Sequence, residues 1–162
     1  MTDRRSDIIS NLENSLHSSI ALFRSLKPEE LNLKVYEDGE LWTVIQVLAH
    51  LTTIEQSMQW LFNNILSGGP GAPPDFDIER FNRSQPKKLF KLNLEELIQQ
   101  FCSVREITIS IVRHMDENDL DREGLHAYHG HGKLERFIRW AYEHQRIHED
   151  EIRRALQIKL SS

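Results

Sequence analysis

Apolar residues recur at steps of three and four positions along four stretches of the chain, and this spacing predicts four amphipathic helices. The first spans residues 3–26 and is closed by Pro28, because proline cannot continue a helix. The second begins at Thr43, whose hydroxyl can form a capping box with Gln46, and it is stopped by the glycines and proline at 68–70. Helices with one apolar face must bury that face against other elements.

A long crossing segment separates the second helix from the third. Residues 68–86 contain four of the five prolines, and we expect a short turn around Phe81. A capping signal at Asn93 starts the third helix, which runs to about Met115. After a polar loop, the fourth helix is predicted at about 133–159. The chain has no alternating strand pattern and no internal repeat.

These elements predict an all-α four-helix bundle, formed by residues 1–162 as a single domain. A chain of 162 residues with 39% hydrophobic content can build one core without the help of disulfides. The long crossing between the second and third helices permits an order other than simple up-down-up-down.

The charged residues argue against two classes of partner. The formal net charge of −5 comes from 25 acidic and 20 basic residues spread along the chain, and no run of Lys and Arg could follow a phosphate backbone. No stretch approaches the roughly 18 consecutive apolar residues of a membrane span, and residues 1–10 carry charges where a signal peptide would be apolar. We therefore expect a cytoplasmic protein that binds neither nucleic acid nor membranes.

Two histidines interrupt the apolar stripe of the fourth helix. The stripe consists of Leu134, Phe137, Ala141, His144, His148, Ile152 and Ala155. Four residues are close to one helical turn, so His144 and His148 share a face and can reach one metal ion. Eight histidines give about 0.4 such pairs by chance, so the spacing alone is a weak signal. Burial strengthens it, because adjacent imidazoles need polar partners and a metal ion satisfies both.

His50 is the third candidate ligand, because it interrupts the inward-facing edge of the second helix between Val47 and Ile54. Three imidazole nitrogens suit Zn²⁺, Ni²⁺, Co²⁺, Fe²⁺ or Cu²⁺ and leave positions for water or substrate, as in reactive metal sites. We predict that His50, His144 and His148 bind a divalent metal ion, with zinc or nickel as the expected ions. The alternative is a set of buried structural histidines.

The loop before the fourth helix contains His126, His129 and His131, and no periodicity would bring them together. We interpret them as residues at the rim of the site, with His126 the best placed to approach the metal. Tyr128 is a further candidate for a supporting role. So is Arg105, which either faces an anionic substrate or lies at the edge of the core or in solvent.

Several short motifs occur in an order that resembles the DinB/YfiT-like metal-binding superfamily. They are Trp42-Thr43-Val44 with His50-Leu51, Phe81-Asn82, His126 with Gly130, and Trp140 with the His144-x-x-x-His148 pair. The resemblance covers about residues 37–155. It implies a bundle of up-down-down-up order, a metal held by His50, His144 and His148, and a homodimer. Gln145 stands where an acidic residue often follows the first histidine of the pair. This difference bears on which side chains hydrogen-bond to the ligands and orient them.

The resemblance also implies a class of chemistry, since the superfamily includes metal-dependent transferases and isomerases that use low-molecular-weight thiols. Our leading hypothesis is an enzyme whose metal lowers the pKa of a thiol or of water and presents the anion to a small electrophilic substrate. Hydrolysis at the same ligands is the second, with Glu143 or Glu149 as general base, although helical phase places both off the ligand stripe. The alternative is a non-catalytic, stress-associated protein whose metal ties the second helix to the fourth.

Three large apolar residues suggest an interface between two copies of the chain. One small core need not hold all of Trp60, Phe62 and Trp140, and exposed apolar patches often mark interfaces. We therefore expect a homodimer, although the sequence does not locate its interface.

Overall fold

The structure, a computed structural model, describes residues 3–161, and only the backbone of residues 159–161. The ends of the expected 1–162 domain therefore lie outside the described residues. The α-helices of the described part are α1 (Arg4–Ser25), α2 (Pro28–Leu31), α3 (Val44–Leu66), α4 (Ile78–Ser84), α5 (Leu94–His114) and α6 (Leu134–Ser161). Two short strands, β1 (Glu123–His126) and β2 (Gly130–Lys133), pair as an antiparallel hairpin before α6. Over this part of the chain, no helix has the length and apolar content needed to cross a membrane.

Local sequence signals explain where the long helices begin. Thr43 and Gln46 form the predicted capping box at α3, with the Thr43 backbone N–H donating to the Gln46 side chain at 3.0 Å. Asn93 and Glu96 form the same box at α5, with both bonds at 2.9 Å. Pro28 does not close α1, which has already ended three residues earlier. It occupies the first turn of α2, where its missing N–H costs nothing.

The hairpin lies where the sequence predicted only a polar loop, and it leaves the all-α class unchanged. Its two strands have four residues each and no apolar alternation, so no strand signal is visible in the sequence. The crossing segment holds it in place, because Ala72 N–H donates to Leu125 O at 2.7 Å and Leu125 N–H donates to Pro70 O at 2.8 Å. Gly71 between them has a φ of +95°, and a Cβ there would lie 2.4 Å from Leu125 O, so only glycine fits.

The long helices run up, down, down and up, as the resemblance implied. α5 and α6 each pack against both α1 and α3. Arg24 near the end of α1 pairs with Glu95 at the start of α5, so these two helices are antiparallel. Arg4 and Glu135, each at the start of its helix, pair at 2.9 Å, so α1 and α6 are parallel. Ile65 near the end of α3 packs against Gly124 of β1, a short distance before α6 begins, so α3 and α6 are antiparallel.

A layer of buried polar side chains divides the apolar core into two clusters. The cluster nearest the hairpin includes Ile8, Leu12, Met58, Phe62, Ile109, Phe137 and Ala141. The cluster at the other end includes Phe23, Val44, Val47, Leu97, Phe101 and Ile152. Along α5, Arg105 stands between Phe101 and Ile109. Along α6, Gln145 stands between Ala141 and Ile152, so the polar layer crosses the whole bundle.

Arg105 is the centre of this layer, and it has no accessible surface. Its guanidinium forms a two-pronged ion pair with Glu55 of α3, at 2.7 and 2.9 Å. It also donates to Leu12 O and Ser15 Oγ of α1 and to the side-chain oxygen of Gln145 on α6. One side chain of α5 therefore bonds to the three other long helices. Arg105 is thus a core residue and faces neither a substrate nor solvent.

The three residues expected at an interface differ in exposure. Phe62 is fully buried in the core, so it is not available for an interface. Trp140 is half-buried, and its ring stacks on Tyr128 with the centroids 5.5 Å apart. Trp60 is 54% exposed. The homodimer stays a prediction. Of the three residues, Trp60 is the one exposed enough to take part in an interface.

Removing one partner of the buried pair should destabilise the fold, because the other charge is left without compensation. We expect Arg105→Met and Glu55→Met each to lower the free energy of unfolding by about 3–5 kcal/mol. The double variant should lose clearly less than the sum of the two. Urea unfolding followed by far-UV circular dichroism measures all three. The exposed pair Arg24 and Glu95 is the matched control, and its removal should change little. Additive losses would contradict the coupling.

Candidate metal centre

Three histidines from two helices meet at one side of the polar layer. His50 of α3 is 2% exposed, while His144 and His148 of α6 are half-buried. Their ring centroids lie 4.5 to 5.2 Å apart. One nitrogen from each ring can be chosen so that the three atoms lie within 4.8 Å of one another. The structure therefore brings together the three residues that the sequence nominated as ligands.

The spacing of one pair of these nitrogens fits a shared metal ion. Two nitrogens bound at about 2.1 Å to one ion lie about 3.0–3.4 Å apart when they occupy adjacent coordination positions. Nε2 of His144 and Nε2 of His148 are 3.0 Å apart. Nδ1 of His50 and Nδ1 of His144 are buried without a hydrogen-bond partner among the described residues. Buried polar atoms are costly when unpaired, and an ion bound to Nδ1 of His50 would remove one of these two costs.

Burial keeps the three rings neutral. It is the main cause that lowers the pKa of His50 well below its usual value, and the charges of the two neighbouring histidines add to it. Burial also lowers the pKa of His144 to about 3 and that of His148 to about 4. At neutral pH each ring therefore keeps a nitrogen lone pair, which is the form that binds a metal ion.

His148 is oriented by Tyr36 and Glu151, which the sequence analysis missed. The Tyr36 hydroxyl lies 2.5 Å from His148 Nδ1 and 3.3 Å from a carboxylate oxygen of Glu151. A phenol has one proton and a carboxylate only accepts, so Tyr36 donates to Glu151 and accepts from the Nδ1–H of His148. This assignment leaves Nε2 of His148 with a lone pair that faces His144. Metal-binding histidines are commonly held in this way.

The two missed residues differ in whether the sequence contains a signal for them. Glu151 follows His148 by three residues, a spacing that puts both on one helix face, so it could have been proposed. Tyr36 lies in the loop before α3 and has no periodic signal. That loop is held by a bond from Val35 N–H to Trp42 O at 3.0 Å. Trp42 in turn stacks on His50, with the centroids 4.4 Å apart.

A cavity of about 580 Å³ opens beside the histidines, and His50 and His144 form part of its wall. Most of the remaining wall is apolar and includes Ile54, Met58, Leu61, Phe76, Phe81 and Trp140. Among the described residues, no Asp, Glu, Lys or Arg lines it. Small-molecule pockets commonly measure about 300–1,000 Å³. A small molecule held in this cavity can therefore reach two of the three histidines.

The hairpin places the loop histidines differently from one another. His126, at the end of β1, is 7% exposed and lines the cavity. The ring centroids of His126 and His129 lie 4.7 Å apart, although no periodicity in the sequence predicted that these two would converge. His131 on β2 is exposed and does not line the cavity. His129 does not line it either, so of the three loop histidines expected at the rim only His126 forms part of the wall. Tyr128, expected in a supporting role, is 68% exposed and lines the cavity.

The nearby carboxylates do not line the cavity. Glu149 is buried, but it accepts hydrogen bonds from Ser19 of α1 and from Gln145. Glu143 is exposed. Both positions agree with the helical phase, which placed them off the ligand stripe. Gln145 likewise bonds to Arg105 and to α1, so it supports the helix that bears His144 from within the core.

Comparison with known proteins agrees with this architecture. A family model described as the DinB superfamily matches residues 11–152. The crystal structure of an uncharacterised protein from Escherichia coli UTI89 is similar, with a TM-score of 0.72 and 12% sequence identity over 98% of this chain and 96% of that chain. At this identity the likeness concerns the fold alone. No curated protein is significantly similar in sequence. Because the family model spans most of the sequence, this chain belongs to the DinB superfamily.

Proposed function

We propose that His50, His144 and His148 bind one divalent metal ion, zinc or nickel, and that the protein is a metal-dependent enzyme acting on a small molecule. The observation that carries this proposal is that two of the three histidines form part of the wall of a cavity of small-molecule size. Within the described chain, no fourth His, Cys, Asp or Glu joins the cluster. Structural zinc sites usually have four protein ligands, whereas catalytic sites keep a position open, so the count favours catalysis.

The ion, when bound, supplies Lewis acidity that lowers the pKa of a thiol or of water and so makes a nucleophile available near neutral pH. The chain's own residues perform the remaining tasks. Tyr36 and Glu151 hold the His148 ring with its Nε2 toward His144. The apolar wall excludes water and confines the substrate beside the histidines.

The wall of the cavity favours a thiol over water as the nucleophile. A metal ion can activate water by itself, but metal-dependent hydrolases commonly add a positioned base that takes the proton. Glu143 and Glu149 do not line the cavity, so neither is in place for that role. A thiol ionises more readily than water and depends less on such a base. We therefore propose a transferase that uses a low-molecular-weight thiol, with a hydrolase as the second candidate.

Metal content is the first test of this proposal. We expect about one zinc or nickel ion per chain in the tag-free protein, measured by elemental mass spectrometry. His50→Ala and His148→Ala should each lose the ion, because two remaining imidazoles hold it too weakly. His131→Ala, which removes an exposed histidine outside the cavity, should keep it. Circular dichroism shows whether each variant has folded. A native protein that stays metal-free after incubation with Zn²⁺ or Ni²⁺ refutes the site.

The contacts behind His148 predict a smaller and separable effect. Tyr36→Phe and Glu151→Gln should each keep the ion but bind it about 10- to 100-fold more weakly, because His148 loses its orientation. Competition with a chromophoric chelator measures the zinc affinity. Tyr128→Phe removes the hydroxyl of an exposed side chain and keeps the ring that stacks on Trp140, and it should bind zinc as the native protein does. Native affinity in Tyr36→Phe would show that the tyrosine does not support the ligand.

A further inference from the structure

The cavity beside the histidines is suited to an uncharged ligand. A carboxylate, phosphate or ammonium group entering it would lose its hydration, and the described wall contains no charged side chain to compensate. A bound metal ion would add positive charge only at the end formed by His50 and His144, so the rest of the wall favours uncharged groups. Four of the eight most exposed large apolar side chains in the described chain line this cavity. They are Trp60, Phe76, Tyr128 and Ile147. Apolar surface concentrated around the opening of a pocket is typical of a ligand-binding site.

His126 gives this apolar wall a polar atom with a defined role. Its Nδ1 accepts hydrogen bonds from the backbone N–H groups of Tyr128 at 2.9 Å and His129 at 3.1 Å. A neutral imidazole has one donor nitrogen and one acceptor nitrogen. Because Nδ1 is the acceptor, the proton lies on Nε2. The hairpin turn thus fixes the tautomer of His126, and burial lowers its pKa to about 4, which keeps the ring neutral.

The same bonds argue against His126 as a fourth metal ligand. Coordination through Nε2 requires a lone pair on that atom, but Nε2 carries the only ring proton while Nδ1 accepts from the two backbone groups. The hydrogen bonds of the His126 ring within the described residues are both at Nδ1, and Nε2 is not among the fully buried unpaired atoms. The nitrogen is therefore an accessible donor without an acceptor from the described protein, on a residue that lines the cavity.

We propose that the cavity binds an uncharged, mainly apolar small molecule that carries a carbonyl oxygen, and that His126 donates a hydrogen bond from Nε2 to that oxygen. The identification of this molecule as the substrate rests on the proposed function, whereas its binding does not require the metal. The ligand lies between His126 on the hairpin side and His50 and His144 on the other.

The test uses the full-length protein and prodan, an uncharged naphthalene with one ketone, whose fluorescence moves to the blue in apolar surroundings and back to the red when its carbonyl is hydrogen-bonded. His126→Asn places an amide oxygen near the position of Nδ1, so it can keep the two backbone bonds but loses the donor at Nε2. His126→Gln restores a donor near Nε2. His131→Asn is the matched control, and Ser57→Trp fills the cavity from α3.

We expect native protein to bind prodan in both the metal-free and the zinc-loaded form. His126→Asn should raise the dissociation constant about three- to tenfold, the loss of one hydrogen bond, and should move the emission further to the blue. His126→Gln should recover part of both changes. His131→Asn should behave as the native protein, and Ser57→Trp should abolish binding.

Three results would overturn the inference, and they are distinct from failure of the metal site. One is the absence of prodan binding to native protein, and another is native affinity and emission in His126→Asn. A third is loss of zinc from His126→Asn, which would make His126 a ligand instead of a donor. If no sample binds zinc but the fluorescence changes occur as expected, the metal proposal fails and the role of His126 in ligand binding stands.

Discussion

The burial of Arg105 in the middle of the bundle is the constraint on which the rest of the structure depends. A guanidinium without accessible surface must find compensation inside the protein, and Arg105 finds it on α1, α3 and α6. Glu55 is five residues beyond His50 on α3, and Gln145 follows His144 directly on α6. One side chain therefore fixes the two histidine-bearing helices relative to each other. The site is supported from within the core as well as by its immediate neighbours.

The helices and the three histidines could be predicted because both depend on local periodicity. His50, His144 and His148 replace apolar residues at positions that the helical period directs inward, and their convergence follows once α3 and α6 pack together. The same reasoning explains why Glu143 and Glu149 were correctly placed off the ligand stripe. A pattern with a period of one helical turn needs no information about distant parts of the chain.

The features that escaped prediction depend on contacts between distant segments. The β-hairpin is held by residues 70–72, which lie more than fifty positions earlier in the chain. Tyr36 meets His148 only because the loop before α3 folds over the end of the histidine cluster. The burial of Arg105 depends on Glu55 and Gln145 together. The sequence around each of these residues contains no pattern that indicates its partner, and only the packing of the bundle gives it a role.

The surroundings of the three histidines are asymmetric, and this asymmetry bears on how a reaction would be organised. Trp42 stacks on His50, and Tyr36 bonds both to His148 and to Glu151. One side of the cluster is therefore closed by contacts that hold the rings. The other side is the cavity, where His50 and His144 form part of a wall without charged side chains in the described chain. An ion held by these rings would exchange its remaining ligands through the cavity. The apolar wall would then select the substrate, while the contacts of Trp42, Tyr36 and Glu151 on the closed side preserve the geometry of the histidines.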